Sequence, residues 1–384
     1  MRPNHGFRRP SPGLQLMLRV ADDAGLELAR TQNAELVHTG DDHFDRVVAA
    51  VGGAQTEVCL EMYQIRPDAV GLGSCEALAR AAERGVHVRL LADPVGCAKA
   101  RDQVWALRDR GVDLRWYNPL RPWNHPLKRT HRKLLVVDGR VASIGGINLA
   151  AEFSRRLHDD HAWRDVGFWF EGPAASRFRD QFEGAWAANG GAPGVPMPRS
   201  EGTGPLCAIA GGTQGRTGHA EAYLSILRNA QREVLLATPY FIPDRELRDA
   251  LVGAVSRGVR VVVVVPRLSD IGWFKHAGRR LYHRLLTAGV EIRERCDRMV
   301  HAKVGTVDGL VAVLGSTNLN RQSFYGNAET LLLTHEQSIV HQVHDLVMDE
   351  AAHATEILHS PEWIRHPDRR RLAEFAATPV SLIF

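Results

Sequence analysis

Two short segments each open on a histidine and a lysine two residues apart, at the head of an apolar run. They are HRKLLVVDG, starting at His131, and HAKVGTVDG, starting at His301. On an extended strand, residues i and i+2 project from the same face. His131 and Lys133 therefore point together, and so do His301 and Lys303. Each pair is followed by an aspartate, Asp138 or Asp308. An asparagine in a turn of small residues comes next, Asn148 in GGIN and Asn318 in GSTN. Every member recurs at one offset, from 131 to 301, 133 to 303, 138 to 308 and 148 to 318.

Brought to one cleft, two imidazoles and two ammonium groups suit a tetrahedral anion with diffuse charge, which is to say a phosphoryl group. Lysine acts on phosphate oxygens as a point charge, and asparagine adds a neutral donor. The small residues at 145, 146, 315 and 316 let backbone N–H groups approach a ligand closely. One histidine can attack phosphorus and form a phosphohistidine. The other can protonate the leaving alkoxide and then deprotonate an incoming alcohol. Fixed cations stabilise the charge on the equatorial oxygens, so this chemistry calls for neither metal nor organic cofactor.

A nucleophilic histidine is held in one tautomer by a partner on its other nitrogen, usually a carboxylate. Asp165 and Glu329 stand at equivalent points of the two repeats, each leading into an apolar strand. The expectation is that Asp165 orients His131 and Glu329 orients His301. Asp138 and Asp308 belong to the motif and are counted with its catalytic set. Their odd offset from the histidine places them on the opposite face of a regular strand, which favours a structural or supporting role.

The elements around the motifs repeat as well. ERGVHVRLLADP (83 to 94) is answered by SRGVRVVVVVPR (256 to 267), each a helix end, a glycine stop and an apolar strand. RGVDLR answers AGVEIR, and VCLEMYQIRPD loosely answers VLLATPYFIPD. Alternating strands and helices of this kind predict an α/β protein of two pseudo-twofold-related halves. Each half should be a mostly parallel mixed sheet flanked by helices on both faces, with the active site at the interface of the halves. The expected organisation is a basic tail and lead-in over 1–34 and a first half over 35–190. A Gly/Pro linker over 191–205 and a second half over 206–384 follow.

Composition limits the alternatives. A formal net charge of +4 suits an anionic substrate or membrane surface and is too small to argue for nucleic acid. Five scattered cysteines without a CxxC pair read as reduced thiols of a cytosolic protein. No run approaches the ~18 apolar residues of a membrane span. Contact with a membrane is therefore expected to be peripheral, at the inner face of the cell membrane. The HDDH at 158–161 reads as a loop rather than a metal site, and His87 and His125 as ordinary histidines. The aromatics of TPYFIP (238 to 243) suit a lipid pocket or a core equally. The arginines at 2, 8 and 9 read as a disordered tail and the RHPDRRR stretch at 365–371 as a solvated basic segment, with contact to anionic lipid as the alternative for both.

Two copies of H-x-K-x4-D, each followed by G-[GS]-x-N, resemble the phospholipase D superfamily. NHPLKRTHRKLLVVDGRVASIGGINLAAEFS (124 to 154), WRDVGFWFEGPAA (163 to 175) and TPYFIPDREL (238 to 247) are similar to bacterial cardiolipin synthases, in their short form without membrane spans. The similarity runs from about residue 35 to 350. It implies phosphatidyl transfer from phosphatidylglycerol, or a related phospholipid, to an alcohol or phospholipid hydroxyl. By the same resemblance His131 would be the nucleophile and His301 the acid, and Lys133, Lys303, Asn148 and Asn318 would bind the phosphate. The implied partners are anionic phospholipid and the membrane surface, without nucleic acid or an obligate protein partner. The chain departs from the family pattern at Gly305, at Asn320 where aspartate is common, and in the insert RRLHDDHA (155 to 162). The same residues would also serve a phospholipase D hydrolase that releases phosphatidic acid or, less well, a nuclease. A lipid-binding scaffold without catalysis would not need both motifs intact.

Overall fold

The computed structural model describes residues 10–119, 124, 127–210, 218–270 and 272–356. The expectations for the arginines at 2, 8 and 9, for His125 and for the basic stretch 365–371 lie outside these residues. The strands run in chain order as β1 (Glu27–Arg30), β2 (Gln32–Val37), β3 (Glu57–Met62), β4 (His87–Ala92), β5 (Asp113–Trp116), β6 (Lys133–Val137), β7 (Val141–Gly145) and β8 (Gly167–Glu171). They continue as β9 (Leu206–Ala210), β10 (Glu233–Ala237), β11 (Arg260–Pro266), β12 (Glu291–Arg295), β13 (Val304–Val307), β14 (Val311–Gly315), β15 (Leu331–Thr334) and β16 (Ala354–Glu356).

These strands build two sheets of the same design. One has the order β2-β8-β7-β6-β3-β4-β5. The other, β1-β9-β15-β14-β13-β10-β11-β12-β16, repeats that order with an extra strand at each edge. Both are mixed, but the parallel share is smaller than expected, being confined to β3-β4-β5 and β10-β11-β12. The reason is local. Each motif is a hairpin, β6-β7 or β13-β14, and a hairpin pairs antiparallel with itself and with the strands on either side. Residues 191–205 carry no helix or strand. Residues 12–30, expected to be part of a lead-in, dock on the second sheet as a helix and an edge strand. The helix Pro12–Ala24 packs on its outer face, and β1 pairs with β9 in the register Glu27↔Ile209. Sequence pattern is local and carries no sign of that long-range pairing.

The sheets stack with helices between and outside them. Phe178 and Phe182 of the helix Pro173–Ala188 and Val343 and Val347 of the helix Gln337–Ala352 fill the central layer between the sheets. The outer face of the first sheet is covered by Gly40–Gly53 and Ala69–Glu83. That of the second is covered by Pro12–Ala24, Gly218–Asn229 and Arg245–Ser256. The repeated sequence cues have repeated causes. Gly85 and Gly258 adopt φ of 91° and 87°, a conformation that stops each helix before its strand. Asp68 and Asp244 cap equivalent helices, accepting from Gly71 N and Leu247 N. Gly305 marks a close approach, because a Cβ there would lie 2.5 Å from the Leu235 carbonyl of the neighbouring β10.

The motif aspartates hold the hairpins to the sheets. Asp138 accepts from the backbone N–H of Gln55, Thr56 and Glu57 at 2.8–3.0 Å. Asp308 does the same for Gln231, Arg232 and Glu233 at 2.7–3.2 Å. Both sit at positive φ, 49° and 55°, as short polar residues in tight turns can. Each thus ties its hairpin to the start of the adjacent strand, on the side away from the histidines. Replacing Asp308 by alanine removes the shared acceptor and is expected to cost roughly 2–4 kcal/mol in urea unfolding. A loss below about 0.5 kcal/mol, the scale of an ordinary surface substitution, would refute this role.

Candidate active site

The two motif hairpins meet where the halves face each other, and backbone bridges stitch them together. Arg164 N donates to Met299 O at 2.8 Å, and His301 N donates to Arg164 O at 2.7 Å. In the other direction, Ala328 N donates to Arg129 O at 2.9 Å and His131 N to Ala328 O at 2.8 Å. The lead-in to β8 therefore lies beside His301, and the lead-in to β15 beside His131.

These bridges decide which carboxylate meets which histidine. His131 Nδ1 lies 3.0 Å from Glu329 Oε2, and His301 Nδ1 lies 2.6 Å from Asp165 Oδ2. The within-half pairing expected from the repeat is corrected: the dyads cross, and each half orients the histidine of the other. The cause is the cross-half bridging of Arg164 with Val300 and of Ala328 with Thr130, which sets each carboxylate one residue beyond a bridge to the segment that carries the opposite histidine. Arg132 reinforces one side by donating to Glu329 O at 3.0 Å and to Glu61 at 3.2 Å, fully buried. Arg164, next to Asp165, ion-pairs with Glu350 of the helix Gln337–Ala352 at 3.0 Å.

The small residues after each hairpin have distinct duties. A Cβ on Gly146 would sit 2.1 Å from Asp165 Oδ2, so only glycine lets that carboxylate lie over the backbone on its way to His301. At the equivalent place in the other half, Ser316 donates its hydroxyl to Glu329 Oε2 at 2.5 Å. The Ser316 carbonyl also lies 3.1 Å from His131 Nδ1. With Nδ1 engaged, the Nε2 of His131 is left for the pocket.

Both histidines line a pocket of about 420 Å³ between the halves, together with Asn148 and Asn318. The side-chain oxygens of both asparagines are buried without a partner. Lys133 donates to the His131 carbonyl at 2.7 Å and stands 5.1 Å from the Tyr63 ring centre. Lys303 donates to the His301 carbonyl and lies 2.8 Å and 3.2 Å from the two ring nitrogens of His301. All six charged or imidazole groups are buried. Asp138 and Asp308 are not brought to this pocket, so their placement in the catalytic set is corrected to the turn-holding role described above.

Burial dominates the electrostatics. It lowers His131 below 6.5, with Glu329 pulling the other way, and lowers His301 well below 6.5 with help from Lys303. It pushes Asp165 up to about 6, opposed by Lys303. It brings Lys303 down to about 8, and Lys133 well below the usual lysine range with help from Lys303. At neutral pH both imidazoles are thus uncharged, each poised to donate Nδ1–H to an ionised carboxylate. A phosphodiester anion entering the pocket would favour the charged form of both lysines.

Sequence reasoning missed several pocket residues. Tyr63 and Tyr240 lie on its wall, and Tyr240 donates to Asp270 at 2.7 Å. A signal was present, since YQIRPD and YFIPD set each tyrosine just ahead of the helix-capping aspartate. Phe241 of the same stretch goes to the core, so the two uses expected of TPYFIP are divided between neighbours. Trp163 packs 5.3 Å from the His301 ring, and Arg129 lines the wall beside His131. Asn320, the departure from aspartate, also lines the pocket and accepts from Ser323 N at 2.8 Å.

The family described as cardiolipin synthase, phospholipase D-like domain, matches residues 47–186 and 223–348. A cardiolipin synthase of Geobacillus sp. (strain WCH70) is 31% identical over 88% of this chain and 69% of its own length. The probable cardiolipin synthase YwiE of Bacillus subtilis (strain 168) is 29% identical over 80% of this chain. The chain spans 63% of that relative's length. The crystal structure of phosphatidylserine synthase from Haemophilus influenzae Rd KW20 superposes with a TM-score of 0.70 at 14% identity, over 96% of this chain and 99% of its own. This last likeness concerns the fold.

The crossed dyads predict separable effects in histidine NMR. Glu329→Gln removes the charge that raises His131 and is expected to lower the His131 titration midpoint further, leaving the His301 tautomer signals unchanged. Asp165→Asn is expected to perturb His301 and spare the His131 tautomer. Perturbation of the histidine in the same half instead would contradict the crossing.

Proposed function

Because the chain belongs to the cardiolipin synthase, phospholipase D-like family, we propose that it is a phosphatidyltransferase. It takes phosphatidyl from phosphatidylglycerol or a related phospholipid and passes it to an alcohol or phospholipid hydroxyl. The observation that carries this reading is the pair of crossed carboxylate–histidine dyads facing one pocket with two buried lysines. That arrangement supplies a neutral nucleophile, a second imidazole for proton transfer, and fixed cations.

In this reading the Nε2 of His131 attacks phosphorus as the P–O bond to the head group breaks. His301, which gains a proton as the phosphodiester anion enters beside it, gives that proton to the leaving oxygen. The phosphatidyl group is then held on His131, and Glu329 carries the Nδ1–H of the positively charged ring. His301, now neutral, takes the proton of the incoming hydroxyl, whose oxygen attacks phosphorus and frees His131. Lys133 and Lys303 neutralise the non-bridging oxygens, with Asn148 and Asn318 donating beside them. The assignment of His131 as nucleophile is supported by its Nδ1 being held by both Glu329 and the Ser316 carbonyl. No helix of the described residues is long and apolar enough to cross a membrane. In this reading lipid reaches the pocket from a membrane surface met from the side, at the inner face of the cell membrane.

The test uses purified protein, phosphatidylglycerol vesicles and EDTA, with products identified by mass spectrometry. Cardiolipin and glycerol are expected from the wild type. His131→Ala is expected to lose at least about 10³-fold in rate, the scale of losing a covalent-catalysis group. Phosphatidic acid as the sole product would make the protein a hydrolase, and a requirement for added metal would contradict the lysine-based mechanism.

The pH profile of kcat/KM follows from the electrostatics. The nucleophile must be neutral and burial has lowered His131, so the acid limb is expected below pH 6.5. Because His301 must bind a proton and burial holds it low, the rate declines as pH rises above its lowered value, and a further fall is expected near 8, where the free enzyme loses the Lys303 proton. In kcat the alkaline limb moves to higher pH, because a bound phosphodiester holds that proton. An acid limb above 6.5 would sink the assignment.

A further inference from the structure

One buried cation of the pocket has no part in the mechanism above. Arg129 is 8% exposed and lines the pocket next to His131. Its Nη2 donates to the Asn118 carbonyl at 2.6 Å, and its Nη1 lies 3.7 Å from Asp93 Oδ2, beyond hydrogen-bond range. Nε and Nη1 are buried with no hydrogen-bond acceptor. Asp93 Oδ1 accepts from the N–H groups of Val95 and Gly96 at 2.9 Å and 3.1 Å, and Oδ2, the oxygen facing Arg129, accepts from Thr130 N at 3.3 Å. A buried guanidinium with two unused donors is costly unless an acceptor arrives. The contacts to Asn118 and Asp93 hold it in place without filling those donors.

Its position indicates the acceptor. Arg129 and His131 flank Thr130, which bridges to Ala328, so the two side chains leave an extended segment on one face, about 7 Å apart. Beyond Arg129 the pocket wall continues to Leu127 and Val95, exposed by 36% and 45%. The same wall thus carries a histidine, a guanidinium with unfilled donors and two exposed apolar side chains.

We propose that Arg129 binds the phosphate of the acceptor lipid. This rests on the phosphatidyltransferase reading and adds to it the residue that favours a phospholipid acceptor over a simple alcohol. A hydroxyl three carbons from its own phosphate reaches the reacting phosphorus at His131 while that phosphate meets the Nε and Nη1 of Arg129. The fork geometry matches two phosphate oxygens. The acyl chains then leave over Leu127 and Val95. Arg129 selects the acceptor and takes no part in bond making.

The experiment partitions one phosphoenzyme between two acceptors. Wild type, Arg129→Gln and Arg129→Lys receive short-chain phosphatidylglycerol with a fixed concentration of ethanol. Cardiolipin and phosphatidylethanol are counted by mass spectrometry, and folding is checked by thermal melting. The ratio of cardiolipin to phosphatidylethanol is expected to fall about ten- to hundredfold in Arg129→Gln. Phosphatidylethanol formation should persist. Arg129→Lys is expected to lower the ratio severalfold, and it carries the test if the glutamine variant does not fold. An unchanged ratio, with both products reduced together, overturns the proposal and assigns Arg129 to the reacting phosphate or the fold. Neither product from the wild type would instead overturn the phosphatidyltransferase reading itself.

Discussion

The site depends on a few backbone hydrogen bonds that cross between the halves. Arg164 pairs with Met299 and His301, and Ala328 pairs with Arg129 and His131. Only through these bridges does each carboxylate reach a histidine of the opposite half. Neither half contains an oriented histidine alone. Asp165 and Glu329 are fully buried, and a buried carboxylate without its partner costs several kcal/mol. The same contacts that make the site competent therefore also favour the docked arrangement of the halves. The central helices Pro173–Ala188 and Gln337–Ala352 supply the apolar part of that docking.

Around the two histidines the motif charges cancel without ligand, with Lys133 and Lys303 against Asp165 and Glu329 and both imidazoles neutral. Burial strains this balance on the cationic side, which is why both ammonium groups are easier to deprotonate than usual. In the proposed reaction a phosphodiester relieves that strain by bringing negative charge beside both ammonium groups. Binding and transition-state stabilisation then use the same groups. The two dyads are not equivalent: one is braced by Ser316 and Arg132, whereas the other relies on a glycine and on a lysine against the imidazole. Such an asymmetry suits two histidines with different tasks, one held still for attack and one trading protons.

Much of this was legible in the sequence because its cues are local and doubled. The two-residue spacing of histidine and lysine, the repeated glycine stops and the repeated small-residue turns each have a local physical meaning. The odd offset of Asp138 and Asp308 already pointed away from the pocket. What could not be read was long-range partnership. Glu329 lies 198 residues from His131 and Asp165 136 residues from His301, and sequence order suggested the nearer pairing. The docking of residues 12–30 on the second sheet was hidden for the same reason. Arg129 was missed for another: an arginine near a motif looks like any surface cation until its burial and its empty donors are seen.

The central claim is that the pocket works through a covalent intermediate on one histidine, held by a carboxylate of the other half. The most direct test is to mix enzyme with short-chain phosphatidylglycerol, quench within milliseconds in alkali, and locate the modified peptide by mass spectrometry. The account predicts phosphatidyl on His131, and its accumulation slowed in Glu329→Gln. Modification at His301, or product formed with no modified histidine at any time, would contradict it.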